Sequence, residues 1–316
     1  MKLSVMIITY NHERFIARAI ESVLAQRVNF DYEILIAEDC STDGTRDVVT
    51  DLHRRYPDRI VLILREQNIG ALQNLESSLT VCRGQYLAIL EGDDYWTSVD
   101  KLQKQVNFLD AHHECAISCH RVRFIDETGD TEAEIFPPCR AGLYTIEDLL
   151  KGNFVMTCSA VFRRDLISPL PPCFSKMKLG DWPRSVLAAR HGKIELMDEI
   201  MAAYRVHSGS MWSSMSQFAR YKESAQMLKT LDKFLSFEYT NTIRQTLAGF
   251  YLEMASLMRQ EGKRAEAARY VTSCLCKGGW QPGRRLLLAG LAAYVLIGSR
   301  YKVFSRANSQ RATEPS

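Results

Sequence analysis

Four apolar runs of strand length, at residues 3–8, 32–37, 60–64 and 86–90, are separated by segments whose apolar residues recur at helical spacing. Runs that are apolar at nearly every position, rather than at alternate ones, mark strands buried on both faces of a parallel sheet. The first helix is expected over about 13–26, with Phe15, Ile16, Ala19, Ile20, Val23 and Leu24 on one stripe. A second reaches about residue 55 and opens after Ser41, Thr42 and Asp43, which all offer capping oxygens; Asp43 is expected to cap its own helix. A third spans about 71–82. Such alternation requires right-handed crossovers, so the fold class is α/β, a Rossmann-like, mostly parallel sheet with flanking helices.

Open sheets of this kind bind ligands outside the carboxyl ends of their strands. The polar clusters 9–11, 38–43, 65–70 and 91–94 all fall at those ends, so four loops distant in sequence converge on one crevice. The segment 90–96, Leu-Glu-Gly-Asp-Asp-Tyr-Trp, carries Glu91, Asp93 and Asp94 out of a buried strand onto a single turn. Three carboxylates there repel one another unless a cation sits among them. Mg²⁺ is usually held by one or two carboxylates, with water and substrate phosphates completing its shell. The turn therefore suggests a metal-diphosphate site, against the plainer reading of an acidic turn capping the next helix.

After a helix over about 100–112 the pattern becomes irregular. Short apolar runs at 116–119, 158–162, 194–197 and 200–206 are interleaved with Pro137-Pro138 and Pro169-Leu170-Pro171-Pro172. Irregular segments beside a crevice commonly build a second-substrate pocket. From about 216 the chain reads as helical, with candidates at 221–234, 241–261 and 264–276, the last two joined as a hairpin through Glu261-Gly262-Lys263. Ala248, Tyr251, Ala255, Ala265, Ala268 and Tyr270 resemble one tetratricopeptide-like unit, although no repeat of fixed period supports a solenoid.

Residues 286–297 are nearly all apolar and are flanked by Arg284-Arg285 and Arg300-Tyr301-Lys302. The run is shorter than the about 20 residues needed to span a bilayer, which leaves a buried helix or an interfacial one. Every charge from Lys277 to Arg311 is basic, which suits an anionic membrane surface; residues 305–316 read as disordered. The formal net charge of +3 is otherwise unremarkable, and no nucleic-acid partner is expected. Nine cysteines, an odd number without Cys-x-x-Cys spacing, argue against a disulfide framework and a structural zinc site. With an N-terminal apolar run too short for a secretory signal, a reducing cytoplasm is the expected compartment.

The loop after the first strand, Thr9-Tyr10-Asn11-His12, has neither glycine nor lysine. This counts against a nucleotidyltransferase, which would hold a triphosphate there, and against a dinucleotide-dependent oxidoreductase with Gly-x-Gly-x-x-Gly.

Ser4-Val5-Met6-Ile7-Ile8-Thr9-Tyr10-Asn11, the stretch from Glu33 through Glu38-Asp39 to Asp43-Gly44-Thr45, Asn68-Ile69-Gly70, and Glu91-Gly92-Asp93-Asp94-Tyr95-Trp96 together resemble the family 2 inverting glycosyltransferases in order and spacing. The resemblance covers roughly the first 110 residues and implies a GT-A fold. Its implied organisation is a nucleotide-sugar-binding half at 1–112 and an acceptor half at 113–212, then a helical appendage at 213–282 and a basic, apolar tail at 283–316. It further implies a nucleotide-diphospho-sugar donor and a divalent cation, Mn²⁺ or Mg²⁺. Thr9, Tyr10 and Asp39 match the residues that grip base and ribose. The acidic turn matches the family's Asp-x-Asp metal motif, with Glu91 replacing the first Asp. Asp93 is favoured as the direct ligand and Asp94 stands close behind. Arg65 and Asn68 are placed where they can touch the nucleotide, helix-capping roles being the alternative.

Two later stretches extend the resemblance. Leu179-Gly180-Asp181-Trp182 is similar to the family's acceptor-side acidic motif, which makes Asp181 the general base; its plainer reading is a helix N-cap ahead of Pro183. Tyr204-Arg205-Val206-His207-Ser208-Gly209-Ser210 is similar to the segment that closes over the donor diphosphate, making His207 a diphosphate or metal contact assisted by Arg205. Tyr95 and Trp96 are either acceptor platforms or packing residues, and Trp182 and Trp212 are further candidates for sugar stacking. By the same analogy the acceptor is a glycan or lipid-linked glycan of a cell-surface polysaccharide pathway at the cytoplasmic membrane face. UDP is favoured, because Asp39 suits a pyrimidine imide edge. A non-catalytic nucleotide-sugar-binding protein with a degenerate site is the rival, and the joint presence of Asp39, Asp93 and Asp181 argues against it.

Overall fold

A computed structural model describes residues 1–129, 134–174, 177 and 180–277. The apolar segment 286–297 and the basic tail lie outside the described residues. Two compact units divide the chain, Met1–Ile243 and the part that begins at Arg244.

The first hundred residues fold as the apolar runs require: β1 (Leu3–Thr9), α1 (Ile16–Leu24), β2 (Tyr32–Glu38), α2 (Thr45–Arg55), β3 (Ile60–Leu64), α3 (Ala71–Leu79) and β4 (Tyr86–Glu91). Next come β5 (Tyr95–Trp96), α4 (Lys101–Ala111), β6 (Cys115–Ile125), β7 (Ile135–Phe136), β8 (Gly142–Tyr144) and α5 (Ile146–Lys151). The unit continues through β9 (Val161–Arg163), α6 (Asp181–Ala189), β10 (Lys193–Arg205), α7 (Met211–Ser214) and α8 (Gln217–Phe234).

All the described strands join one sheet in the order β3-β2-β1-β4-β9-β6-β10-β5, with β7 on β6 and β8 on β10. The pairs β3–β2, β2–β1, β1–β4 and β6–β10 are parallel. Only β9, antiparallel to both neighbours, interrupts that sense between β4 and β6. Burial follows the same logic: Val5, Ile7, Ile34, Ile36, Ala88 and Leu90 are wholly enclosed, packed against Ile16, Ile20 and Val23 of α1 and against Val106 and Leu109 of α4.

Two expectations change in detail, and one short helix is new. The first helix starts at Ile16 rather than 13, because the backbone N–H of Glu13 is taken by the Asp43 carboxylate and those of Phe15 and Ile16 turn back to the His12 carbonyl. The runs 194–197 and 200–206 are one strand of 13 residues, β10. Asp198-Glu199 breaks the apolar pattern, but the backbone passes through it as a bulge, with register shifts against β6 on either side of Ile200. Finally, α5 was hidden by its shortness, although Thr145 and Asp148 close a reciprocal capping box at its start.

α9 (Thr240–Gln260), whose first four residues belong to the first unit, and α10 (Arg264–Lys277) form the expected hairpin. Gly262 takes φ of 78° at the turn, a left-handed conformation that glycine adopts without strain. Ala255 and Val271 pack with Leu252 and Tyr270 between the two helices. Among the described residues no helix is long and apolar enough to cross a membrane.

Candidate active site

The loops after β1 and β2 are stitched together by side chains. Asn11, at φ of 56°, receives the Thr42 N–H on its Oδ1 at 2.8 Å, while its own N–H reaches Ser41 Oγ at 3.0 Å. The His12 N–H donates to Thr45 Oγ1 at 2.8 Å. Asp43 accepts from Thr45 N and Oγ1 at the first residue of α2, while the N-cap position itself falls to Gly44, without a side-chain capping bond. Thr9 is buried at the end of β1, and Tyr10 is exposed at the mouth of the crevice.

Asp39 is buried, and both its carboxylate oxygens are engaged by backbone: Oδ1 receives the Ile69 N–H at 2.9 Å and Oδ2 the Gly70 N–H at 2.8 Å. Its carbonyl accepts from the Asn68 amide at 3.1 Å. Asp39 thus fixes the loop after β3, and Asn68 lies exposed on that loop. Arg65 is turned onto α3, donating to Asn74 Oδ1 at 3.0 Å, Ser77 Oγ at 2.6 Å and Ser78 Oγ at 2.9 Å, away from the acidic turn.

The acidic turn sits where β4 meets the end of β10. Gly92 lets the turn approach the loop after β1, since a Cβ there would lie 2.6 Å from Thr9 Oγ1 and 2.8 Å from His12 Nδ1. Asp93 is buried and its Oδ2 lies 2.9 Å from His207 Nε2 and 3.8 Å from His12 Nε2, whereas its Oδ1 has no hydrogen-bond partner among the described residues. Burial pushes the Asp93 carboxyl up, but the His207 hydrogen bond and the His12 charge outweigh it and hold the group below the usual carboxylate range. Glu91 is pushed up to about 8 by burial, then by the charges of Asp93 and Asp181. Asp94 is raised well above the ordinary range by burial, then by the charges of Asp93 and Glu91. The three carboxylates are thus pushed apart, Asp93 downwards and Glu91 and Asp94 upwards, as crowded like charges dictate. A donor set of this kind, with an orphaned buried carboxylate oxygen, fits a divalent cation.

Below the turn the contacts are structural. Asp94 Oδ1 accepts the Arg205 N–H at 2.8 Å. The buried Arg205 guanidinium is spent on the carbonyls of Asp93, Asp126 and Glu127, at 2.9 to 3.0 Å, so it clamps the turn rather than reaching for a diphosphate. Trp96 is buried with Nε1 on the Cys158 carbonyl and the Lys101 ammonium 4.3 Å above its ring, which settles it as a packing residue. Trp182 is likewise enclosed, its Nε1 on the Leu149 carbonyl.

Asp181 is the first residue of α6, whose N-cap position is held by Gly180 without a side-chain capping bond. The Asp181 carboxylate instead receives the Asn153 amide at 2.9 Å, and its charge is felt at Glu91. Arg184, one turn further along α6, is buried between the fields of Asp181 and Glu91, with its Nε unpartnered among the described residues. Beside His207 an open groove of about 440 Å³ runs past Asp126, Thr128, Ser208 and Ser213.

Asn153, Arg184 and, as part of the acidic cluster, His12 were not singled out from sequence. For His12 the one available signal was its place in a strand-end loop; the others carry no local signature.

The order of the sheet and the crevice at its strand ends are those of the GT-A fold. Residues 4–170 match the model of the Glycosyl transferase family 2, and the chain belongs to that family. It is 35% identical over 300 residues to an uncharacterized protein of Mycobacterium tuberculosis, covering 92% of this chain and 80% of the relative. It is 32% identical over 108 residues to the UDP-Glc:alpha-D-GlcNAc-diphosphoundecaprenol beta-1,3-glucosyltransferase WfaP of Escherichia coli, covering 34% of this chain and 41% of that protein. Its fold superposes on TarS of S. aureus in complex with UDP-GlcNAc with a TM-score of 0.64 at 18% identity, covering 94% of this chain and 89% of the other.

Proposed function

We propose that this glycosyltransferase moves a sugar from a nucleotide-diphospho-sugar, a UDP-sugar in first place, to a hydroxyl of a glycan or lipid-linked glycan with inversion at the anomeric carbon. Residues 1–212 carry the reaction, 213–282 form an appendage, and 283–316 make peripheral contact with an anionic membrane at the cytoplasmic face, within cell-surface polysaccharide synthesis. The observation that carries this reading is the Asp181 carboxylate, fixed by Asn153 and facing the acidic turn closely enough for its charge to raise Glu91. WfaP, named for a UDP-sugar donor and a diphospholipid acceptor, supports the choice of substrates.

In a direct displacement the acceptor oxygen bonds to the anomeric carbon as the bond to the diphosphate breaks. Asp181 takes the proton of the attacking hydroxyl, the role of a general base. Thr9, Tyr10 and Asn68 border the pocket for base and ribose, with Asp39 holding the loop that closes it. A divalent cation, Mn²⁺ or Mg²⁺, would be held by Asp93 with Glu91, Asp94 or His207, and supplies charge neutralisation for the departing diphosphate. The groove beside His207 leaves room for that group.

Calorimetric titration with UDP, dTDP and GDP, each with and without Mn²⁺, tests the donor. Metal-dependent binding of UDP that survives in Asp181→Asn, together with loss of about 10²–10⁴-fold in sugar transfer, supports Asp181 as base. Unchanged transfer by that variant removes the assignment.

A further inference from the structure

We propose that the cation rests on a face of two imidazoles and one carboxylate, His12, Asp93 and His207, which makes this a transition-metal site rather than a Mg²⁺ site. The proposal rests on the reading above that a divalent cation serves the crevice. One ligand atom from each of the three residues lies within 4.8 Å of the others. Both Nε2 atoms converge on Asp93 Oδ2, at 2.9 Å for His207 and 3.8 Å for His12. The other Asp93 oxygen, enclosed in a residue only 7% exposed, has no partner among the described residues.

Each imidazole is oriented from behind. Thr9 Oγ1 lies 3.3 Å from His12 Nδ1, and in the tautomer whose Nδ1–H donates to that hydroxyl oxygen the lone pair stands on Nε2, the nitrogen nearest Asp93. Metal-bound histidines usually have their second nitrogen tied in this way. The His12 backbone is pinned to Thr45. His207 rests against the Phe15 ring, with centroids 5.3 Å apart, and Gly209 leaves its Nδ1 side open, where a Cβ would come within 3.2 Å.

Glu91, Asp93 and Asp94 lie equally close to one another, and Asp94 Oδ2 is also without a partner among the described residues, but the other Asp94 oxygen is already engaged. Asp94 is tied to the Arg205 N–H and lies beside the Cys158 thiol, beneath the turn. Imidazole suits late first-row metals, whereas Mg²⁺ demands oxygen and sheds water reluctantly. Three protein ligands on one face leave the remaining positions for water or diphosphate oxygens.

The test titrates Mg²⁺, Mn²⁺ and Co²⁺ into the full chain without nucleotide, for wild type, His12→Gln and His207→Gln, and records ¹⁴N couplings by pulsed electron paramagnetic resonance of the Mn²⁺ form. Glutamine keeps a hydrogen-bonding group beside Asp93 while removing the imidazole. Co²⁺ should bind more tightly than Mn²⁺ and Mn²⁺ more tightly than Mg²⁺, and each variant should lose at least about tenfold in Co²⁺ affinity. Nitrogen couplings from two imidazoles are expected in wild type. Co²⁺ affinity unchanged in a folded His12→Gln, or coupling from a single imidazole in wild type, overturns the proposal, and the second result decides even if the variant fails to fold. UDP binding with a metal site indifferent to His12 would sink this proposal and leave glycosyl transfer standing. A two-imidazole metal site in a protein that binds no nucleoside diphosphate would do the reverse.

Discussion

Asn153 Nδ2 donates to Asp181 Oδ2 at 2.9 Å, tying the loop after α5 to the first turn of α6. The bond occupies one carboxylate oxygen and fixes the direction of the other. Asn153→Ala should lower turnover about tenfold, the worth of one oriented hydrogen bond, while the KM for donor and the thermal midpoint stay near wild type. Steady-state kinetics with varied donor check this; a change confined to donor KM would place Asn153 elsewhere in the reaction.

Asp39→Asn replaces one of two acceptors by an amide that must face a backbone N–H. The Ile69 and Gly70 donors are then no longer both satisfied. A loss of about 1–3 kcal/mol in unfolding free energy is expected. UDP affinity should fall in parallel, because the loop after β3 loses its anchor. Denaturant titration and calorimetry on the same preparation separate the two effects.

Gly92→Ala brings a methyl against Thr9, a buried β-branched residue, and against the His12 ring. Overpacking of this kind costs about 1–3 kcal/mol. Metal affinity should drop in the folded variant, since Thr9 and His12 must both shift. Wild-type Co²⁺ binding in Gly92→Ala would show that the approach of β4 to the first loop tolerates more than its distances suggest.

Lys101 is enclosed beneath Trp96, and burial pushes its ammonium down to about 7 from an ordinary 10.5. Between those values the unfolded chain binds the extra proton, so wild-type stability should rise as pH increases and flatten above about 10.5. Lys101→Met has no such proton to lose and should lack the slope. It also leaves Gln105 Oε1 without its Lys101 donor. The variant should therefore fall furthest below wild type in alkaline buffer and approach it towards pH 6, as urea unfolding across that range would record.

The parallel core and its crevice were legible because strands buried on both faces cannot hide their apolar runs, and because each run stopped at a polar cluster. Glu91, Asp93, Asp181 and His207 could be picked out on that basis and through family resemblance. β10 was read as two strands because Asp198-Glu199 interrupts its apolar run while the backbone continues through a bulge. The two-residue strands β5 and β7 are too short to show any period. His12 escaped notice because a lone histidine has no periodic mark, and its partners arrive only when β4 and β10 close over it. Arg205 read as an aid to His207, since nothing in its sequence announces the three carbonyls that occupy it.

The clamp that β10 places on the acidic turn also orders events during synthesis. Domains commonly fold from the N-terminus as the chain emerges. β1 to β4 can form a parallel sheet early, with Asp93 and Asp94 already displayed. Arg205 and His207, which hold those carboxylates, stand at and just beyond the end of the last strand to join the sheet. A ribosome-bound chain lacking residue 205 onward would expose an unclamped cluster of acids without the imidazole of His207. The cluster is therefore completed late, as a single event, once the strand that completes the sheet has left the exit tunnel.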